Sequence, residues 1–327
     1  MSKKILITGV NGFVGGHLIS LLKPQGCGIV GLDTKIEADG KTPKAGEAGE
    51  DGVELRECDL RDSSLLEEIV IESEPEIIFH LAAQSSVKLS FENPSETFSI
   101  NVIGTVNLLE AASNLEKPPK VLLVSSSEIY GQLKPGQVPV KEDAPLRPVN
   151  PYAVSKATVD LMAYQYWKAY NLPVYLVRAF SHSGPGQRTV AVLSDWAFQT
   201  AKIELGLRPP QLDVGNMDVT RDYMDVRDTV RAYRDILEKG KPGEPYNVCS
   251  GIGYKLGDLL DIIISFSSKK IDIVPDPSRL RPVDIPMLIG SPEKLKRTTG
   301  WRPEIKIEKT LRDLYDYWTA FLTPQMQ

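Results

Sequence analysis

Residues 5–15 read ILITGVNGFVG. The run Ile5 to Thr8 is short, apolar and β-branched, and Gly9, Gly12 and Gly15 follow where such a strand turns directly into a helix. Glycine there allows the tight turn, a close backbone approach to a pyrophosphate and close packing of helix on strand, while the helix N-terminus favours an anion. Asn11, Phe13 and Val14 complete the candidate dinucleotide loop. The alternative is a plain strand-turn-helix that needs glycine for geometry alone; the strand and helix patterns on both sides favour the dinucleotide.

Outward from this segment, the first half of the chain alternates short apolar runs with helical patterns. KKILIT, GIVGLD, VELREC, EIIFHLA, KVLLVSS and PVYLVRAF read as strands, and 12–23, 62–73, 94–115 and 151–170 read as helices. Parallel neighbours need crossover connections, so the alternation predicts an α/β fold, a doubly wound parallel sheet with helices on both faces. Segment 34–52, TKIEADGKTPKAGEAGED from Thr34, has few large apolar side chains and reads as an exposed excursion between the second and third strands. After Phe180 the pattern changes to Gly- and Pro-rich loops, a helix near 190–205, a short strand QLDVG, and helices near 226–239 and 256–266. That predicts a smaller, mixed α/β lobe capping the carboxyl edge of the sheet, where ligands of such folds bind.

Composition narrows the classes of function. At 327 residues and 42% hydrophobic content the chain buries a large core. A net charge of -5 with both signs interspersed leaves no basic stripe for a phosphodiester backbone, so no nucleic-acid partner is expected. Cys27, Cys58 and Cys249 form no Cys-x-x-Cys pair and are odd in number, which reads as reduced thiols in a cytoplasmic protein. The start MSKKILITG runs straight into a strand, and no stretch of about 18 apolar residues follows, so no signal peptide and no membrane span are expected. His17, His80 and His182 lack metal-ligand spacing, and no metal is expected.

On the cofactor side, Asp33 ends the second strand about 20 residues past the glycine loop. A carboxylate there accepts from an adenosine ribose and repels a 2′-phosphate, which favours NAD(H), with NADP(H) as the alternative; Asp33 as a simple loop start is the other reading. Asp59, with Leu60 after the third strand, suits the adenine amino group or an N-cap-like position before 62–73. Leu81, Ala82 and Ala83 at the end of the fourth strand are small enough for a flat ring to approach the backbone, and His80 reads as a core histidine.

Reducing a ketone with a nicotinamide requires an acid for the incipient alkoxide and a donor that polarises the carbonyl. Tyrosine serves if a neighbouring cation depresses its phenol, and a lysine four residues later on a helix lies on the same face. Three copies of Tyr-x-x-x-Lys occur: Tyr130 to Lys134, Tyr152 to Lys156 and Tyr164 to Lys168. The first runs into Pro135 and Gly136. The third, 12 residues past the second, is turned about 120° off its face. Tyr152 follows Asn150 and Pro151, good N-cap and N1 residues, so Tyr152 and Lys156 are the candidates. VSSSEIYG, at the end of the fifth strand, supplies Ser126 as the polariser with Ser127 and Glu128 beside it, unless these serines only cap the strand.

Together the glycine loop, HLAA, NVIGT with Asn101, SSSEIYG, PYAVSK and TRDYMDVRD resemble the extended short-chain dehydrogenase/reductase family over nearly the whole chain. The resemblance implies a Rossmann-type domain over 1–180 plus about 222–250, a nucleotide-sugar lobe over 181–221 and 251–327, a triad of Ser126, Tyr152 and Lys156, and a homodimer packed through helices near 94–115 and 151–170. FSHSGPGQR, YNVCSGIG and LRPVDIPMLIGSPEKLKRTTGWRPEI look like GDP-6-deoxy-4-keto-mannose reductases and the related GDP-mannose 4,6-dehydratases. A GDP-sugar is the substrate this implies, with Arg221 and Arg281 on the diphosphate, Asp284 on guanine, and Ser86, Ser127, Glu128 and Ser181 as further contacts. Reduction of a 4-keto-6-deoxy sugar is the leading expectation. A 4,6-dehydratase using Glu128 as base, a 4-epimerase and a non-catalytic dinucleotide-sensing scaffold are the rivals.

Overall fold

The computed structural model describes residues 3–35, 53–134, 136–280 and 283–323. The excursion expected at 34–52 therefore lies, beyond Lys35, outside the described residues, as does Arg281. In the first half, β1 (Lys4–Thr8) leads into α1 (Phe13–Leu22), and β2 (Gly28–Asp33), β3 (Val53–Glu57), α2 (Ser63–Ser73) and β4 (Ile77–His80) follow. The chain continues through α3 (Val87–Glu92), α4 (Pro94–Phe98), α5 (Gly104–Ser113), β5 (Lys120–Ser126), α6 (Pro151–Tyr170) and β6 (Val174–Ala179).

A second run comprises β7 (Ser181–Ser183), α7 (Val192–Glu204), β8 (Gln211–Val214), β9 (Thr220–Asp225), α8 (Val226–Lys239) and β10 (Pro245–Val248). It closes with β11 (Gly253–Lys255), α9 (Leu256–Ile264), β12 (Asp272–Pro275), β13 (Met287–Leu288), α10 (Glu293–Thr299) and α11 (Ile307–Leu322).

Seven strands form one sheet in the order β10-β6-β5-β4-β1-β2-β3, every neighbouring pair parallel. Alternation along each strand divides its side chains between two cores. Ile5 and Ile7 face one core with α1 and α8, while Leu6 faces the other with α2, α5 and α6. This is the doubly wound sheet that the alternation predicts. Strand order reverses between β1 and β4, which opens a crevice at their carboxyl ends.

Around it sits the smaller lobe. Here β9 pairs with β11, β13 and β7, β8 pairs with β12, and α7, α9 and α11 enclose a separate core around Trp196, Leu260 and Leu314. A fourth cluster, including Tyr130, Phe180, Cys249 and Leu288, joins the two halves beside the sheet mouth.

The helix expected at 94–115 is interrupted. Between α4 and α5 the backbone widens into a π-turn at Ser99–Ile103, which carries the buried Asn101. Asn101 uses that position to bond the Gln84 backbone on both sides and the Ser155 hydroxyl of α6 at 2.9 Å. No described helix is long and apolar enough to cross a membrane.

Candidate active site

The glycine loop packs where a side chain has no room. Gly9 sits at φ +72°, and a Cβ there would stand 2.7 Å from the Ala82 backbone nitrogen. α1 starts after Gly12 with no side-chain cap, so its first N–H groups face the crevice. The loop is zipped to the end of β2: Gly9 N–H donates to Leu32 O at 2.8 Å, Asn11 N–H to Asp33 Oδ2 at 3.0 Å, and Asn11 Nδ2 to Lys35 O at 2.6 Å. Asn11 Oδ1 is buried and has no partner among the described residues. An uncapped helix end, a cradle that a Cβ would fill and an orphaned acceptor fit a nicotinamide dinucleotide. Leu81 and Ala82 line the same turn, with the Ala82 N–H bonded to Thr8 Oγ1 at 3.2 Å, and Ala83 follows.

Asp59 is committed elsewhere. Both its oxygens accept from the Arg61 guanidinium, which also reaches Glu96, and the cap of α2 is Asp62. The N-cap alternative for Asp59 is thereby corrected, because the cap lies three residues later, at Asp62; Leu60 is buried behind Gly104.

At the mouth of the sheet, β5 ends in Ser126, and α6 begins beside it. Asn150 caps that helix by accepting the Ala153 N–H at 2.7 Å. Tyr152 thus lies in the first turn with its phenol beside Ser126, whose Oγ accepts the Glu128 N–H at 3.2 Å. One turn further, the buried Lys156 donates to Val124 O at 2.9 Å, and Ser125 Oγ donates to Lys156 O at 2.9 Å.

The electrostatics depart from expectation at one point. Burial pushes the Tyr152 phenol up to about 12; the Ser126 bond opposes this and the Glu128 carboxylate adds to it. Burial also lowers Lys156 to about 8. The expected depression of the phenol by the ammonium is therefore corrected: desolvation sets the direction, and the ammonium spends a donor on the Val124 carbonyl.

The other two Tyr-x-x-x-Lys copies lie away from this cluster. Tyr130 is buried, donates to Asn247 Oδ1 at 2.6 Å and accepts from Arg178 at 2.9 Å. Tyr164 is exposed on α6, with Lys168 lying over Trp167. His80 is fully enclosed between Thr8 Oγ1 and Thr105 Oγ1, and burial lowers it to about 3, which keeps it neutral.

Of the expected substrate contacts, Ser127 is buried next to Ser126, Ser86 caps α3 through the Leu89 N–H, and Ser181 opens β7. Arg221, on β9, is buried and donates to Thr220 O, to Ile285 O at 2.5 Å and to Asp284 Oδ1 at 3.1 Å. Asn216 holds the other Asp284 oxygen at 3.0 Å. The diphosphate candidate and the nucleobase candidate thus form one ion pair, where sequence reading treats them as separate contacts. Each Asp284 oxygen thus accepts one hydrogen bond within the protein.

The GDP-mannose 4,6 dehydratase family matches residues 6–314. The chain belongs to that family. Among individual members it is 35% identical over 320 residues to the GDP-6-deoxy-D-mannose reductase of Pseudomonas aeruginosa, covering 98% of each chain. The solved structure of RMD from Pseudomonas aeruginosa, complexed with NADPH, superposes with a TM-score of 0.83 at 32% identity, covering 97% of this chain and 99% of that one. The Thermus thermophilus UDP-glucose 4-epimerase complex with NAD superposes equally well, TM-score 0.83 at 30% identity over 96% and 98% of the two chains. Both likenesses extend to the family's whole architecture of parallel sheet and capping lobe.

Two contacts at this family site escape sequence reading. Phe13 stacks on His182 with ring centroids 6.0 Å apart, and His17 Nε2 is 2.8 Å from Pro185 O, so α1 touches the SHSGPG loop directly. Val124 serves through its carbonyl, and a main-chain acceptor leaves no residue-type signal.

Proposed function

We propose that the protein reduces the C4 ketone of a GDP-linked 4-keto-6-deoxy sugar, giving GDP-rhamnose or its C4 epimer. The observation that carries this is the placing of the Tyr152 phenol beside Ser126 and one helical turn before the buried Lys156, at the mouth of a sheet whose glycine loop fits a dinucleotide. When bound, the reduced nicotinamide supplies the hydride. Tyr152 holds its proton at neutral pH and gives it to the alkoxide, Ser126 orients the carbonyl oxygen, and the Lys156 ammonium stabilises the developing charge. Lys156 also bonds the nicotinamide ribose.

The glycine loop (Gly9, Asn11, Gly12, Phe13, Val14, Gly15) holds the pyrophosphate side, with Asp59, Leu60, Leu81, Ala82 and Ala83 around the adenine and ring edges. Asp33 favours NAD(H), since a carboxylate at the end of β2 opposes a 2′-phosphate. Arg221 and Arg281 take the diphosphate, with Ser86, Ser127, Ser181 and Asp284 around the sugar and base. Resemblance to GDP-6-deoxy-D-mannose reductase over the full chain supports the GDP-sugar. The protein acts in the cytoplasm as a homodimer through the helical segments 94–113 and 151–170, where Ile103, Leu161 and Tyr164 are each more than half exposed.

One observation favours a second reading. Glu128 stands close enough to raise the Tyr152 phenol, which is the place for the extra base of a 4,6-dehydratase. Incubation with GDP-4-keto-6-deoxymannose and with GDP-mannose separates the two. A reductase oxidises one added NADH or NADPH per ketone and adds two hydrogens to the sugar mass. Loss of water from GDP-mannose without added dinucleotide means dehydratase, epimerised sugar means 4-epimerase, and binding without turnover means a sensing scaffold.

A further inference from the structure

At the corner where the glycine loop meets the end of β2, two of the three donor hydrogens of Asn11 are spent on the protein. Asn11 gives its backbone N–H to Asp33 Oδ2 at 3.0 Å and an Nδ2 hydrogen to Lys35 O at 2.6 Å. The second bond fixes the amide's orientation, because only the nitrogen can face a carbonyl oxygen. Oδ1 is therefore the atom left over, and it is buried without a partner among the described residues. Asp33 Oδ1 accepts the Thr34 N–H at 2.8 Å, so each carboxylate oxygen is positioned by a main-chain donor and retains a lone pair. The first cation after β3, Arg61, is bonded to Asp59 and to Glu96.

We propose that Asn11 is a second determinant of cofactor choice: its Oδ1 accepts one hydroxyl of the adenosine ribose while Asp33 accepts the other. The inference rests on the dinucleotide reading above and deepens it. A vicinal diol brings two O–H donors to two preset acceptors. A 2′-phosphate brings acceptors and negative charge to the same corner, where Asn11 Oδ1 has no hydrogen to give it and Asp33 repels it. Discrimination then comes from an unsatisfied neutral acceptor as well as from a carboxylate, and the two contributions are separable by substitution.

The test measures binding without sugar substrate, through the fluorescence change of the reduced nicotinamide on titrating the full chain with NADH, NADPH, and the 2′-deoxy- and 3′-deoxyadenosine forms of NADH. The intact chain is expected to bind NADH more tightly than NADPH and to lose affinity for a deoxy analogue. Asn11→Ala is expected to weaken NADH by about three- to tenfold, the loss of one hydrogen bond, to leave NADPH within about twofold, and to stop discriminating one of the two deoxy forms. Asn11→Ser, smaller and still polar, gives the same pattern if the alanine variant does not fold, as judged by its apo melting curve. Parallel weakening of NADH and NADPH, or unchanged discrimination of both deoxy forms, overturns the role of Asn11 and leaves the dinucleotide reading standing. A folded chain that binds no dinucleotide overturns both.

Discussion

The carboxamide of Asn150 joins Glu128 to the start of α6: its Nδ2 donates to Glu128 Oε2 at 3.1 Å while its Oδ1 accepts the Ala153 N–H at 2.7 Å. One side chain thus sets both the candidate base and the helix turn that carries Tyr152. Asn150→Ala removes an N-cap and is expected to cost about 1 kcal/mol of stability together with turnover. Asn150→Ser restores the cap, and hence the denaturation midpoint, but is too short to reach Glu128 as well. Recovery of turnover along with stability in the serine variant would show that the Glu128 contact is idle.

Tyr152→Phe removes the hydroxyl that stands beside Ser126 and nothing else of comparable size. Turnover is expected to fall by about 10²- to 10⁴-fold, the usual worth of a general acid. Dinucleotide affinity, measured by titration, should stay within about twofold. Full activity in this variant removes the mechanism.

The two shifted groups separate in pH. Lys156 is lowered to about 8 and Tyr152 raised to about 12, so a loss of kcat/KM as pH rises through about 8 belongs to the lysine. Stability moves with a definite sign. Between about 8 and the ordinary lysine value of 10.5 the unfolded chain binds the proton that the folded chain has lost, so the Lys156 contribution to stability rises with pH. For Tyr152 the folded chain keeps its proton between 10.0 and about 12, and that contribution falls as pH rises through this window. Lys156→Arg should move the kinetic limb to higher pH; a limb that stays near 8 in that variant assigns it to another group.

Gly9→Ala puts a Cβ within 2.7 Å of the Ala82 nitrogen on a residue held at φ +72°. Both strain the loop, so dinucleotide affinity is expected to fall at least about tenfold with a lowered melting temperature. Gly26→Ala is the control, since its turn also has positive φ but nothing within 4 Å of the added methyl. Equal binding losses in the two variants would deny the loop its special role.

Behind the site, Arg178 grips Asp160 with two bonds of 2.7 and 3.0 Å, and both side chains are 6% exposed. Asp160 lies one turn beyond Lys156, so the pair anchors α6 to β6. Arg178→Met leaves a buried carboxylate unpaired and is expected to cost about 3–5 kcal/mol by chemical denaturation. The double substitution Arg178→Met with Asp160→Leu should recover much of that loss. A double variant no more stable than the single one would place the penalty in packing.

Much of the fold is legible because its signals are local. The glycine spacing, the alternation of Ile5, Leu6 and Ile7 between two cores, and the Asn150–Pro151 start of α6 each depend on neighbours in sequence. What stays hidden depends on distant partners. β10 is four residues, Pro-Tyr-Asn-Val, and becomes a strand because β6 offers it a parallel edge. The Arg221–Asp284 pair spans 63 positions and forms only when β13 lies beside β9. The high phenol of Tyr152 comes from burial depth, which residue spacing does not report, so sequence reading predicts the wrong direction. α11 is different, because Ile307, Leu311, Leu314, Trp318 and Leu322 carry a helical period in plain view.

The place of β10 governs how the chain can be made and divided. The outermost strand beside β6 arrives only after β7, α7, β8, β9 and α8 have been laid down. A nascent chain stalled at Phe180 would expose the bare edge of β6, a template for pairing with other molecules. Neither half is therefore a natural unit for truncation or gene fusion, and a cut between β6 and β7 would leave an aggregating remnant in place of a smaller dinucleotide binder.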